Sequence, residues 1–126
     1  MRFSPVADLA ISVIDDDEST RTALAGPLRL LGFEARTYGS AEEFFSVGST
    51  FPCCCIISEV HMPGLSGIGL KRRLDESGQA TPIIFITGRS EPRLLAEATA
   101  SGAVCVLRKP FDAEALLAGL RQANVA

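Results

Sequence analysis

Hydrophobic positions along this chain fall into two alternating patterns. The runs Leu9 to Ile14, Cys53 to Ile57, Ile83 to Ile86 and Ala103 to Leu107 are short, nearly continuous and rich in β-branched residues, which predicts parallel strands buried on both faces. Glu34 to Tyr38 alternates polar with apolar residues, as an edge strand does. Between the runs, apolar residues recur at helical spacing: Leu24, Pro27, Leu28 and Leu31, and again Ala113, Leu116, Leu117 and Leu120. Ser40 with Glu43 forms a capping box ahead of Phe44 and Phe45, Ser66 and Asp112 are N-caps, and Gly32 and Gly102 stand where helices should stop. A further helix runs from about Pro92 to Ser101. Pro27 breaks the pattern from inside a helix, where it removes a hydrogen bond at a cost of about 3 kcal/mol, so a kink is expected near Ala23 to Gly26.

Strand and helix alternate five times with short connections, the arrangement of one doubly wound α/β domain with helices on both sheet faces. Its core spans about residues 9–122 of a domain that takes in residues 1–126. A chain of 126 residues with 47% hydrophobic content can support such a core. The formal charge of -3 is spread as mixed signs, which leaves no basic footprint for direct nucleic-acid binding. Met1 to Asp8 lack a leader pattern and no apolar run approaches the ~18 residues of a membrane span, so a cytoplasmic location is expected. Cys53, Cys54 and Cys55 are consecutive and Cys105 is remote, with no CxxC or CxxH pair, so the reading is buried thiols and not a metal site. On a strand, Cys53 and Cys55 would share one face and Cys54 take the other.

In an open parallel sheet, ligands bind beyond the carboxyl ends of the strands. Asp15, Asp16 and Asp17 follow the first strand, Glu59 the third, Thr87 the fourth, and Arg108, Lys109 and Pro110 the fifth. An acidic pair with a third carboxylate suits a hard magnesium ion, while a lysine and a hydroxyl opposite could each hold a phosphoryl oxygen. Taken singly, each has an ordinary structural reading as a cap, a turn residue or a solvated charge. Their joint arrival at one sheet edge is what points to chemistry.

The stretch Ile14-Asp15-Asp16-Asp17-Glu18, the loop from Glu59 through Pro63 to Gly67, the turn Ile86-Thr87-Gly88 and Arg108-Lys109-Pro110-Phe111 resemble the four signatures of receiver domains of two-component response regulators. The resemblance runs from about Leu9 to Gln122. It implies a CheY-like, flavodoxin-like (βα)5 fold with a five-stranded parallel sheet in the order 2-1-3-4-5. It also implies Mg2+ held weakly by Asp15, Asp16, Glu59 and the backbone carbonyl of His61, a switch hydroxyl at Thr87, a phosphoryl-binding lysine at Lys109, and a cis peptide at Pro110. The partners it implies are a sensor histidine kinase or other signalling protein, an output domain outside this chain, or a second copy in a homodimer. The loop after Glu59 and the run Ile84-Phe85-Ile86-Thr87-Gly88 resemble the subtype joined to LuxR-type outputs.

Two positions depart from the family. Glu59 stands where the phospho-accepting aspartate belongs, and its extra methylene displaces the carboxylate by ~1.5 Å, enough to cost a hundredfold in rate. The expectation is a non-enzymatic module with weak or absent phosphotransfer, in which Glu59 either imitates the phosphorylated state or is silent; a Thr87 hydroxyl turned away from Glu59 and Lys109 would speak against imitation. Ser58 should point away from the site. Val106 replaces the usual switch aromatic. His61 reads as a solvent-facing loop residue, and Lys71 to Arg73 as a solvated basic face. One alternative is a conventional phosphorylatable receiver. Another is a small magnesium-dependent phosphatase of the haloacid-dehalogenase type, from the Asp15-x-Asp17 spacing with Thr87 and Lys109. Against the latter stand Ser19 where threonine or valine is usual, the lack of an acidic pair after Lys109, and the lack of a cap.

Overall fold

Continuous apolar runs leave no polar face for water, so their strands must be covered on both sides. The computed structural model describes residues 9–48, 51–89 and 91–126; Met1 to Asp8, read above for a leader pattern, lie outside them, as do Ser49, Thr50 and Ser90. Strands β1 (Ala10–Ile14), β3 (Cys55–Glu59) and β4 (Ile83–Thr87) are buried at every position. β2 (Glu34–Tyr38) alternates, and β5 (Cys105–Arg108) is half-buried at best. The sheet order explains the contrast: all pairings are parallel in the order β2-β1-β3-β4-β5, so β2 and β5 are edges. Burial on both faces, expected of the fifth run, therefore fails at β5.

Helices cover both faces. On one side α1 (Glu18–Leu30) and α5 (Ala113–Gln122) place Leu24, Leu28, Leu116 and Leu120 against Ile11, Val13, Ile57, Ile84 and Ile86. On the other, α2 (Ala41–Ser46), α3 (Gly67–Glu76) and α4 (Pro92–Ala100) bring Phe44, Leu70, Leu74 and Ala98 against Ile14, Ile56 and Phe85. Their starts are local in origin: Ser40, Ser66 and Asp112 each accept an N–H at 2.8–3.0 Å, worth about 1 kcal/mol apiece. Gly32 and Gly102 follow α1 and α4 at φ of 98° and 90°, backbone that favours glycine.

α1 runs through Pro27 as one element; Ala23 and Gly26 are exposed, so water can meet the carbonyl that Pro27 leaves without a donor. Two local expectations change. β3 begins at Cys55, two residues later than the apolar run, because its pairing with β1 starts at Ile11 opposite Cys55. Cys53 and Cys54 thus precede the ladder: Cys53 packs with the α2–α4 core while Cys54 and Cys55 pack with the α1–α5 core, and only Cys55 is fully buried. Burial pushes the Cys55 thiol far up, out of reach of ionisation. The basic run on α3 is not simply solvated, since Lys71 pairs with Asp75 at 2.8 Å and Arg73 lies over the Phe45 ring at 5.0 Å, tying α3 to α2.

Phe85 on central β4 is fully buried among the α2–α4 core residues. Phe85→Ala is expected to lower stability by about 3–5 kcal/mol, measured as a fall in the urea midpoint without a change of slope.

Candidate functional site

Parallel strands end on one edge of their sheet, and here register makes those ends neighbours. Ile14 lies opposite Ser58, Glu59 opposite Ile86, and Thr87 opposite Arg108. The ladder continues one step further through Asp15 N–H to Tyr38 O, Val60 N–H to Ile86 O and Lys109 N–H to Thr87 O. Asp15, Glu59, Thr87 and Lys109, separated by up to 94 residues in sequence, are thereby set around one point. Asp15 and Thr87 are fully buried and Glu59 is 6% exposed.

The Lys109 ammonium joins the two acids, with Nζ 3.0 Å from Asp15 Oδ2 and 2.8 Å from Glu59 Oε1. Each remaining carboxylate oxygen accepts a backbone N–H: Asp15 Oδ1 from Asp17 at 2.9 Å, and Glu59 Oε2 from His61 at 3.0 Å. Burial is the largest influence on Asp15 and holds its carboxyl above the usual range, against the opposing Asp17 N–H and Lys109. For Lys109 burial acts downward, but the hydrogen bonds and charges of Glu59 and Asp15 outweigh it and hold the ammonium above its ordinary value.

The other sequence candidates are placed differently. Asp16 is exposed on the rim, and the His61 side chain faces solvent while its amide serves Glu59. Ser58 Oγ donates to the Glu59 carbonyl instead of joining the carboxylates. Thr87 Oγ1 accepts from Arg89 N–H at 3.0 Å and makes no hydrogen bond to Glu59 or Lys109 among the described residues. The Lys109–Pro110 peptide is cis. Val106 packs half-buried on the α2–α4 side.

Two contributors were not singled out from the sequence. Arg21 Nη1 donates to the Asp15 carbonyl at 2.6 Å and holds the turn after β1. Its signal is its place one helical turn beyond the cap Asp17. Glu42 Oε2 accepts the Leu65 N–H at 2.9 Å, which pins the β3–α3 loop to α2 and lowers the Glu42 carboxyl; no local pattern marks it. A Cβ at Gly67 would collide with the Glu59 carbonyl oxygen, so this position admits glycine because of close backbone approach.

The donor chemistry of Asp15 and Glu59 is that of a hard divalent ion. As arranged, however, all four of their oxygens are taken by the chain's own donors, and no three His, Cys, Asp or Glu side chains among the described residues converge at metal-ligand spacing. Asp15 and Glu59, with Asp16 on the exposed rim, would be the residues to hold such an ion.

Residues 11–121 match the response regulator receiver domain. The chain belongs to that family. It is 35% identical over 113 residues to the response regulator protein TmoT of Ectopseudomonas mendocina, covering 90% of this chain and 51% of TmoT. It is 37% identical over 113 residues to the transcriptional regulatory protein FixJ of Azorhizobium caulinodans, covering 90% and 54%. The chain thus spans about half the length of the curated relatives it matches. The crystal structure of FixJ-N superposes with a TM-score of 0.82 at 30% identity, over 90% of this chain and 91% of that one. A response regulator receiver protein from Burkholderia phymatum gives 0.80 at 37% identity, over 93% and 96%. The chain is therefore a receiver domain of a two-component response regulator, with the CheY-like fold. Receiver domains are signalling modules that generally bind Mg2+. This assignment takes the place of the phosphatase alternative. No helix among the described residues is long and apolar enough to cross a membrane.

Replacing the shared cation tests the electrostatics. A carboxyl whose folded pKa is raised contributes most below its unfolded value, 3.8 for Asp15, and that contribution is lost as pH rises through the folded value. Lys109→Met removes the influence that limits this loss, so its stability deficit should grow as pH rises above about 4, reaching about 3 kcal/mol. Lys109 itself, also raised, stabilises the wild type below the ordinary lysine value of 10.5 and ceases to do so as pH climbs through its folded value. Urea titrations from about pH 4 to above the ordinary lysine value of 10.5 check both arms.

Proposed function

We propose that this receiver domain signals through protein contacts and that its phosphotransfer is weak or absent, because Glu59 occupies the acceptor position. The observation that carries the reading is the engagement of the Glu59 carboxylate: Oε1 is held by Lys109 and Oε2 by the His61 amide. An acceptor must present an oxygen to an incoming phosphorus atom in line with its leaving group. Glu59 instead has both oxygens bound by donors.

Asp15 and Lys109 keep the site intact as a charged, closed unit, and Asp16 remains on its rim. Thr87 keeps its hydroxyl buried, and its oxygen accepts the Arg89 N–H, which supports a silent site over one that imitates a phosphoryl group, since imitation would draw that hydroxyl to the Glu59–Lys109 pair. Val106 on the edge strand offers no ring to swing between buried and exposed positions, and this supports the same reading: a switching equilibrium needs two discrete arrangements.

The partner is a sensor kinase or another signalling protein meeting this surface, or an output segment of a longer protein. FixJ, which this chain resembles over about half its length, is a transcriptional regulatory protein. A comparable role for the full protein here, with a LuxR-type output, follows by analogy with that relative. Nucleic-acid contact by this domain itself is not part of the proposal, given its net charge of -3. The expected location is cytoplasmic, where two-component phosphotransfer operates.

Incubation with acetyl phosphate and Mg2+ followed by intact-mass measurement tests the reading. The wild type is expected to stay at its own mass, and Glu59→Asp to gain one labile phosphoryl group. A labile phosphoryl gain on the wild type would show that glutamate here accepts phosphate and that the domain is a conventional receiver.

A further inference from the structure

A loop keeps its position through contacts at its ends and along its length, and the loop after Glu59, residues 61–66, has few of them. At its near end the His61 N–H donates to Glu59 Oε2 at 3.0 Å, and the Val60 N–H continues the ladder to Ile86 O. At its far end the Gly67 N–H returns to Val60 O, and Ser66 Oγ caps α3. Among the described residues, one hydrogen bond reaches the loop from outside the β3–α3 unit: Glu42 Oε2 on α2 accepts the Leu65 N–H at 2.9 Å. The loop is shaped to receive that carboxylate. Gly64 stands at φ 76°, and a Cβ there would strike Glu42 Oε2, so glycine is required by the approach of this side chain as well as by the backbone.

Glu42 is carried on a fixed base. Ser40 Oγ accepts the Glu43 N–H while Glu43 Oε2 accepts the Gly39 N–H, which secures the start of α2. Phe44, buried one turn on, packs edge-on against Tyr38. We infer that Glu42 is a positioning residue of the site: from α2 it sets the loop whose His61 amide holds the Glu59 carboxylate, and so sets where the carboxylate at position 59 points. This role extends the reading of Glu59 given above, on which only its bearing on phosphoryl transfer rests. Met62, buried between Leu65 and His61 in the α2–α4 core, is the competing anchor.

Amide hydrogen exchange on the full chain, read residue by residue by NMR, tests this. Glu42→Ala is expected to speed exchange at the Leu65 amide about tenfold, as loss of one charge-assisted bond should. The His61 amide should follow by at least about threefold, with Phe85 in β4 staying within about twofold of the wild type. Glu42→Gln, which keeps a carbonyl oxygen at the same reach, should bring both loop amides back to within about twofold. Acceleration at Leu65 without His61 overturns the inference, because Met62 would then fix the near half of the loop by itself. Equal acceleration at Phe85, or no change at Leu65, overturns it too. In a Glu59→Asp background with acetyl phosphate and Mg2+, adding Glu42→Ala should slow labelling about tenfold, and adding Glu42→Gln should not; equal rates in all three overturn the inference. The two readings fail separately: a wild type that takes a phosphoryl group, or a Glu59→Asp that takes none, removes the reading of Glu59, while the exchange rates still decide the role of Glu42.

Discussion

Two carboxylates closed inside a protein cannot both stay charged without a cation between them, and the top edge of this domain is arranged around that need. Asp15 has no solvent exposure and Glu59 almost none, while Lys109 reaches both from the far end of the sheet. Desolvating three charges costs energy that the contacts recover only with good geometry and with every remaining oxygen satisfied. Both conditions are met, through the Asp17 and His61 amides. The arrangement holds only while β1, β3, β4 and β5 keep their register, since a slip of one residue would turn each side chain to the opposite face.

The surrounding structure works to keep those four strand ends in place. Arg21 clasps the turn after β1, and Glu42 holds the loop after β3 from α2. Glycine at position 67 lets α3 start against the Glu59 carbonyl. The Arg73–Phe45 contact and the edge-on Phe44–Phe45 and Tyr38–Phe44 pairs continue that support from α3 through α2 to β2. Such contacts are each worth about 0.5–1.5 kcal/mol. Their value lies in fixing positions more than in adding stability.

Within that support, the proposed function turns on one methylene, which separates an acceptor from a counter-ion. An aspartate at position 59 would hold its carboxylate nearer the backbone; glutamate extends it onto the lysine. The chemistry of the family depends on positioning far more than on new covalent groups, so on the proposed reading a displacement of this size alters function while leaving fold and charge balance intact. The edge strand is altered in the same direction. Val106 fills a half-buried place on β5 without the ring whose movement would report a change at Thr87.

Much of this was legible from residue order. Continuous apolar runs marked the central strands because burial on both faces excludes polar residues, and serine and aspartate caps marked helix starts because an unmade N–H bond must be met locally. The acidic turn, Glu59, Thr87 and Lys109 could be gathered from sequence because parallel strands share an edge. Tertiary structure alone decided the rest. It set where β3 begins, since pairing with Ile11 defines that point and hydrophobicity does not, and it put Cys53 and Cys55 on opposite faces as a result. It left β5 partly open because an edge strand lacks a second neighbour. It carried α1 through Pro27 because the exposed side of the helix can give a spare carbonyl to water. Above all it gave the oxygens of Asp15 and Glu59 to Lys109 and two backbone amides: which donor satisfies a buried carboxylate depends on distances between segments far apart in the chain, and no local pattern encodes those.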